Sequence, residues 1–168
     1  MRQSLVVALA AAMLLTACGS AEVLLSKPAQ VPAGIDFSGD WVLTTSSGTH
    51  PRGARELLVH VFLETGKSLK ITQTEAGIFV SFDRSVVEEY RFGENREISV
   101  GAISAERVSG WEGATYVVET LDEEGAKLVE VYRLQDNNRR LQRTIEIWKR
   151  NEKKLALVQE FSQVLSGE

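Results

Sequence analysis

From Gly39 onward, apolar and polar residues alternate with a period of two along most of the chain. That alternation marks strands with one buried face. It predicts strands at 39–45, 68–74, 78–83, 86–92, 114–121, 127–135, 140–149 and 155–164, with a weaker Gly-, Ala- and Ser-rich strand at 96–106. Ile78, Val80 and Phe82 share one face, as do Val86, Tyr90 and Phe92, and Leu155, Leu157 and Phe161. Between the runs lie turn signals: Gly77, Gly93, 110–113, Gly125, Asp136-Asn137-Asn138 and 150–153. Gly and Asn adopt the positive φ that tight hairpins need.

Connections this short make successive strands antiparallel neighbours. They leave no room after residue 66 for the helical crossovers of a parallel sheet. The expected fold is all-β, an up-and-down antiparallel meander of eight or nine strands. Closure into a barrel would remove its two bare edges. One segment departs from the pattern. Ala54, Leu57, Leu58, Val61 and Phe62 recur at helical spacing between Pro51 and Gly66, which predicts a short helix at 52–64 capping one barrel end. The run from Leu58 to Phe62 also suits a strand.

The first residues are of another kind. Arg2 precedes an uncharged apolar run, Leu5 to Leu15, too short to span a bilayer and suited to the h-region of a secretory signal. Leu15-Thr16-Ala17-Cys18 then resembles the bacterial lipobox. That resemblance implies a signal peptide at 1–17, a diacylglycerol on the Cys18 thiol, and an acyl chain such as palmitate on its new amine. Several acyl chains anchor a protein stably. By resemblance to the sorting rules of enterobacterial lipoproteins, Gly19 rather than Asp after the cysteine implies the periplasmic face of the outer membrane. The alternatives are a plain secretory signal cut after Ala17 and a short membrane anchor. Residues 18–35 contain Pro28 and Pro32 and read as a lipidated cysteine with a flexible tether. At about 3.3 Å per residue it would reach roughly 50 Å. The folded domain is expected over 36–168.

Phe37-Ser38-Gly39-Asp40-Trp41 before the first strand resembles the Gly-x-Trp opening of lipocalin-like bacterial barrels. Leu69 to Thr74 with Ile78-Phe79-Val80, Gly110-Trp111-Glu112-Gly113 leading into Tyr116 to Thr120, and Val131 to Leu134 extend the likeness across about 36–148. The resemblance implies a small barrel whose Trp41 plugs the closed end. It also implies an interior that either holds one small apolar ligand or is filled by side chains.

Composition narrows the chemistry. One cysteine in 168 residues excludes an internal disulfide framework and multi-thiolate zinc sites. A net charge of −4 argues against general nucleic-acid binding. The two histidines, His50 and His60, have no Ser, Cys or acid at a catalytic spacing. No cofactor, metal or catalytic residue is assigned, and the protein is read as a non-enzyme. In a strand, Glu88 and Glu89 point to opposite faces, so one can face the interior, with Arg91 and Arg143 as possible partners. Residues 86–130 hold eleven acids against four bases, and 136–154 seven bases against three acids. The basic stretch reads either as a solvated mixed surface or as a docking patch for an anionic lipid, glycan or acidic partner.

The candidate ligand-binding or plug residues are Trp41, Tyr90, Trp111, Tyr116, Tyr132 and Trp148. Trp148 alternates with Ile145 and Ile147, so one of these two sets lies outside the lumen. The leading expectation is a membrane-anchored lipoprotein whose barrel binds a small apolar or amphipathic ligand in the periplasm. The alternative is a structural module, its barrel filled, that docks on an envelope complex or inhibits a cell-wall enzyme. A hydrolase would need an acid–base constellation that the sequence does not present.

Overall fold

The computed structural model describes residues 22–49 and 54–164. The proposed signal peptide, Cys18 and His50 lie outside that range. Ten strands form one antiparallel sheet: β1 (Gly39–Thr49), β2 (Ser68–Gln73), β3 (Gly77–Phe82), β4 (Val86–Arg91), β5 (Glu94–Val100), β6 (Ile103–Glu112), β7 (Thr115–Asp122), β8 (Ala126–Gln135), β9 (Arg140–Lys149) and β10 (Glu152–Gln163). The order is β4-β3-β2-β1-β10-β9-β8-β7-β6-β5. The first strand pairs with the last, from Trp41↔Gln163 to Thr49↔Ala156, and the meander curls into a barrel. The two edges of the sheet are β4 and β5, neighbours in sequence that share no ladder. Closure is therefore complete except for one seam.

The tenth strand comes from the weak 96–106 run. It is two strands, β5 and β6, joined at Gly101 (φ 62). The expected turn at 110–113 starts later, because Gly110 to Glu112 belong to β6. At 52–64 the described residues form two 3-10 turns, Ala54–Glu56 and Leu58–Phe62, in place of one helix or a strand. Val59 and Phe62 are buried against Leu128, Ile145, Ile147, Leu155 and Leu157, so the segment does cap one barrel end.

The other end holds an aromatic and aliphatic cluster that includes Phe37, Trp41, Phe82, Tyr90, Trp111, Tyr116, Tyr132 and Phe161. Gly39 (φ 149) makes the turn into β1, and the Trp41 indole donates to the Phe37 carbonyl at 3.0 Å. Trp41 sits 1% exposed as a plug.

The stretch read as a flexible tether is otherwise over its described part. Residues 22–35 lie as a strap along the outside of β6 and β7. Leu24 is buried with Val108 and Leu121. Lys27 pairs with Glu112 at 2.5 Å and Glu119 at 3.3 Å. The Trp111 amide donates to the Pro28 carbonyl at 2.9 Å. Val31 and Ile35 pack on the aromatic cluster. Three apolar anchors and a buried-stem lysine outweigh the signal that two prolines give for a loose linker.

Candidate functional site

Strand periodicity decides what faces the lumen. On β8, Leu128 and Tyr132 point inward, so Glu130 between them does too. On β9 the same holds for Arg143 between Leu141 and Ile145, on β10 for Gln159 between Leu157 and Phe161, and on β6 for Arg107 between Ala105 and Ser109. These four residues form a polar belt between the two apolar clusters. None is more than 4% exposed.

The centre of the belt is an ion pair. Arg143 donates from Nε to Glu130 Oε1 at 3.1 Å, and its Nη2 reaches the same oxygen. Its Nη1 donates to Gln159 Oε1 at 3.4 Å. The Tyr132 hydroxyl donates to Glu130 Oε1 and the Tyr90 hydroxyl to Oε2, both at 3.3 Å. The guanidinium stacks over the rings of Phe82 (4.9 Å) and Tyr132 (5.5 Å). Burial alone would lower the pKa of Arg143. The groups around the guanidinium, the Glu130 carboxylate among them, outweigh burial and hold it above its ordinary value. Burial pushes Tyr90 and Tyr132 up, so both hydroxyls stay protonated donors at neutral pH. Taking two charges out of water is costly, and here the pair also satisfies the buried Tyr90 and Tyr132 hydroxyls and the Gln159 amide. It is the central element of the polar belt between the two apolar clusters.

A second, weaker pair lies nearer the seam. Arg107 Nη1 stands 3.5 Å from Glu88 Oε2, its Nε donates to Thr120 Oγ1 at 3.3 Å, and its guanidinium lies 5.2 Å from the Tyr90 ring centre. Burial raises the pKa of Glu88, and the nearby Glu130 and Glu64 add to this, against the opposing pull of Arg107. Glu89 points outward and pairs with Arg91 at 2.9 Å. The opposite-face expectation for this acid pair holds, and the partner of the inward Glu88 is Arg107, not Arg143.

The seam itself is bridged by side chains where a ladder would otherwise run. The Ser109 hydroxyl donates to the Arg91 carbonyl at 2.7 Å and reaches Glu94 Oε1 at 3.1 Å. Below that bridge, β4 and β5 part around a cavity of about 350 Å³, lined by the apolar Phe62, Ile98 and Val100 and by six polar residues, Glu88, Glu89, Arg96, Glu97, Ser99 and Arg107. That volume admits one small ligand, and the lining offers a minor apolar surface beside a larger charged one.

The sequence candidates divide into three. Tyr90 and Tyr132 belong to the belt. Trp41, Trp111 and Tyr116 belong to the aromatic end, where Trp111 stacks on Phe37 at 5.7 Å and packs on Tyr116 at 5.3 Å. The Trp111 indole N–H is buried there without an acceptor among the described residues. Trp148 does not line the lumen. Ile145 and Ile147 take the inward face, and Trp148 lies outside, donating to Glu146 at 2.9 Å beneath Lys153. Glu130, Gln159 and Arg107 were not singled out in the sequence. Their parity with flanking apolar residues was the available signal.

The basic stretch at 136–154 is divided by the fold. Arg143 is internal, while Arg140, Lys149, Lys153 and Lys154 each pair with an acid. The outer surface there is mixed in charge. Among the described residues no group of three or more His, Cys, Asp or Glu is placed to hold a metal ion.

No protein family and no curated protein matches the sequence. Solved structures do match the fold. A fatty-acid-binding protein 1 of Echinococcus granulosus aligns at TM-score 0.52 and 13% identity, covering 77% of this chain and 98% of that one. A Schistosoma mansoni fatty-acid-binding protein in complex with arachidonic acid gives 0.53 and 12%, covering 77% and 96%. A secretory abundant heat soluble protein of Ramazzottius varieornatus gives 0.51 and 11%, covering 76% and 94%. At these identities the likeness concerns architecture. The chain folds as a ten-stranded, nearly closed barrel of the fatty-acid-binding and lipocalin-like type.

Proposed function

We propose that the protein is a lipid-anchored envelope protein, held by acyl chains on Cys18 at the periplasmic face of the outer membrane. In this reading it binds one small amphipathic ligand at the β4–β5 seam and is not an enzyme. The observation that carries the binding is the seam cavity, lined by the apolar Phe62, Ile98 and Val100 and by polar residues that include Glu88 and Arg107. A seam bridged by side chains opens without breaking a backbone ladder, which suits a ligand gate. A similar fold has been solved with arachidonic acid, itself an amphipath.

The belt limits how deep the ligand goes. With Glu130 and Arg143 filling the middle of the barrel, the ligand sits at the seam and not along the axis. The packed interior also favours a second reading, a docking module whose barrel serves only as a scaffold.

Native mass spectrometry on the soluble form beginning at Gly19, purified gently from its own host, separates the two. A co-purifying molecule of low mass that is lost on organic extraction supports the binding reading. A bare mass, with no uptake of apolar fluorescent probes, supports the scaffold. The anchor is tested separately: Cys18→Ser should release the protein from the membrane and abolish palmitate labelling.

A further inference from the structure

We infer that the ligand of the seam carries a positive charge at its polar end: the site takes an ammonium head on an apolar body and rejects a carboxylate. This rests on the seam being the ligand site and adds the charge of what it holds.

The inference starts from the buried cations. An anionic head would need a guanidinium to receive it, and both internal ones are already engaged. Arg143 is fully buried and held by Glu130 and Gln159. Glu130 in turn receives Tyr90 and Tyr132. The chain thus supplies its own internal carboxylate, in contact with a cation that no ligand can reach without displacing it. Arg107 is the nearer one, and it faces Glu88, Thr120 and the Tyr90 ring. A ligand carboxylate there would have to replace Glu88 while remaining beside it.

The acids of the seam are less well matched. Glu89 is paired with Arg91 and Glu94 with Arg96. Among the described residues Glu88 has only Arg107, at 3.5 Å. Glu97 lines the cavity, Glu64 acts on Glu88, and neither makes an ion pair among the described residues. Five carboxylates thus stand around the seam against the guanidiniums of Arg91, Arg96 and Arg107. Burial raises the pKa of Glu88, and the charges of Glu130 and Glu64 add to that rise against the pull of Arg107. An ammonium ion near Glu88 and Glu97 would supply that charge, while Phe62, Ile98 and Val100 cover the chain behind it.

The test is calorimetric titration of the soluble chain at neutral pH with decylammonium, decanol and decanoate, each kept below its micellisation concentration. We expect decylammonium to bind about tenfold or more tighter than decanoate, with decanol between, since each tenfold corresponds to about 1.4 kcal/mol of differential interaction. Glu88→Gln and, at the exposed rim, Glu97→Gln should each narrow the gap. The rim variant keeps the test valid should the loss of the Arg107 partner unfold the chain. Decanoate binding as tightly as decylammonium, or a gap unchanged in both variants, would overturn the inference and leave the seam as the site. Failure of all three probes to bind would overturn the site reading itself.

Discussion

Replacing Arg143 by Met strands the Glu130 carboxylate at the centre of the barrel, 1% exposed. Removing one partner of such a pair costs about 3–5 kcal/mol. With a urea slope of about 2 kcal/mol/M for a domain of this size, the midpoint should fall by roughly 2 M. Glu130→Leu alone should cost a similar amount. The double variant should be more stable than either single one, because no uncompensated charge remains. It will still fall short of the native chain. The hydroxyls of Tyr90 and Tyr132 and the Gln159 amide lose their partners, at about 1 kcal/mol each for groups left buried and unpaired. The assay is equilibrium unfolding in urea, followed by tryptophan fluorescence, with the slope checked for constancy across the set. Single variants that each cost under about 1 kcal/mol and add linearly would refute the reasoning. They would mean that the pair is hydrated and the lumen open to water.

Three further outcomes follow from the geometry. A Cβ at Gly110 would stand 2.5 Å from the Pro28 carbonyl oxygen and 2.7 Å from Lys27 Cβ. Gly110→Ala should therefore lift the strap, seen as faster limited proteolysis within 22–35 while the barrel stays folded; unchanged cleavage would contradict the strap's placement. Trp41→Phe should cost about 1 kcal/mol more than Trp111→Phe, since only the Trp41 indole has an acceptor; equal costs in urea unfolding would contradict this. Asp83 accepts the Ser68 and Lys67 amides and the Ser68 hydroxyl, which hold its carboxyl below the ordinary value. A depressed folded pKa gives stability that is present above the unfolded value of about 3.9 and lost as pH falls through the folded one. The stability gap between the native chain and Asp83→Asn should accordingly be widest at neutral pH and shrink below about pH 4; a gap independent of pH would contradict it.

The strands were legible because burial on one face of a sheet imposes a period of two, as in Ile78, Val80 and Phe82. Where the period failed, a second layer was present. Val108 on β6 and Leu121 on β7 look outward and are buried all the same, because Leu24 of the strap covers them. Gly110 reads as a turn residue and is a strand residue, its missing side chain making room for the strap backbone. Such coverage depends on contacts 80 or so positions apart, as between Lys27 and Glu112, and no local pattern encodes them. The seam is equally nonlocal. Val86 to Phe92 and Arg96 to Glu106 read as antiparallel neighbours, whereas β4 and β5 are the two edges of the sheet. For the belt the sequence was sufficient: Glu130 and Arg143 sit in phase with apolar neighbours. The sequence offers Arg143 as a possible partner for an inward carboxylate, while Glu130 counts there only among the acids.

The most direct test of the seam as the binding site is an amide chemical-shift titration of the soluble, isotopically labelled chain with decylammonium. The account predicts saturable shifts concentrated at Phe62, Glu88, Ile98, Val100 and Arg107, with the aromatic end around Trp41 and Trp111 unmoved. Shifts centred on Trp41, Trp111 and Tyr116, or confined to the outer faces of β8 and β9, would contradict it.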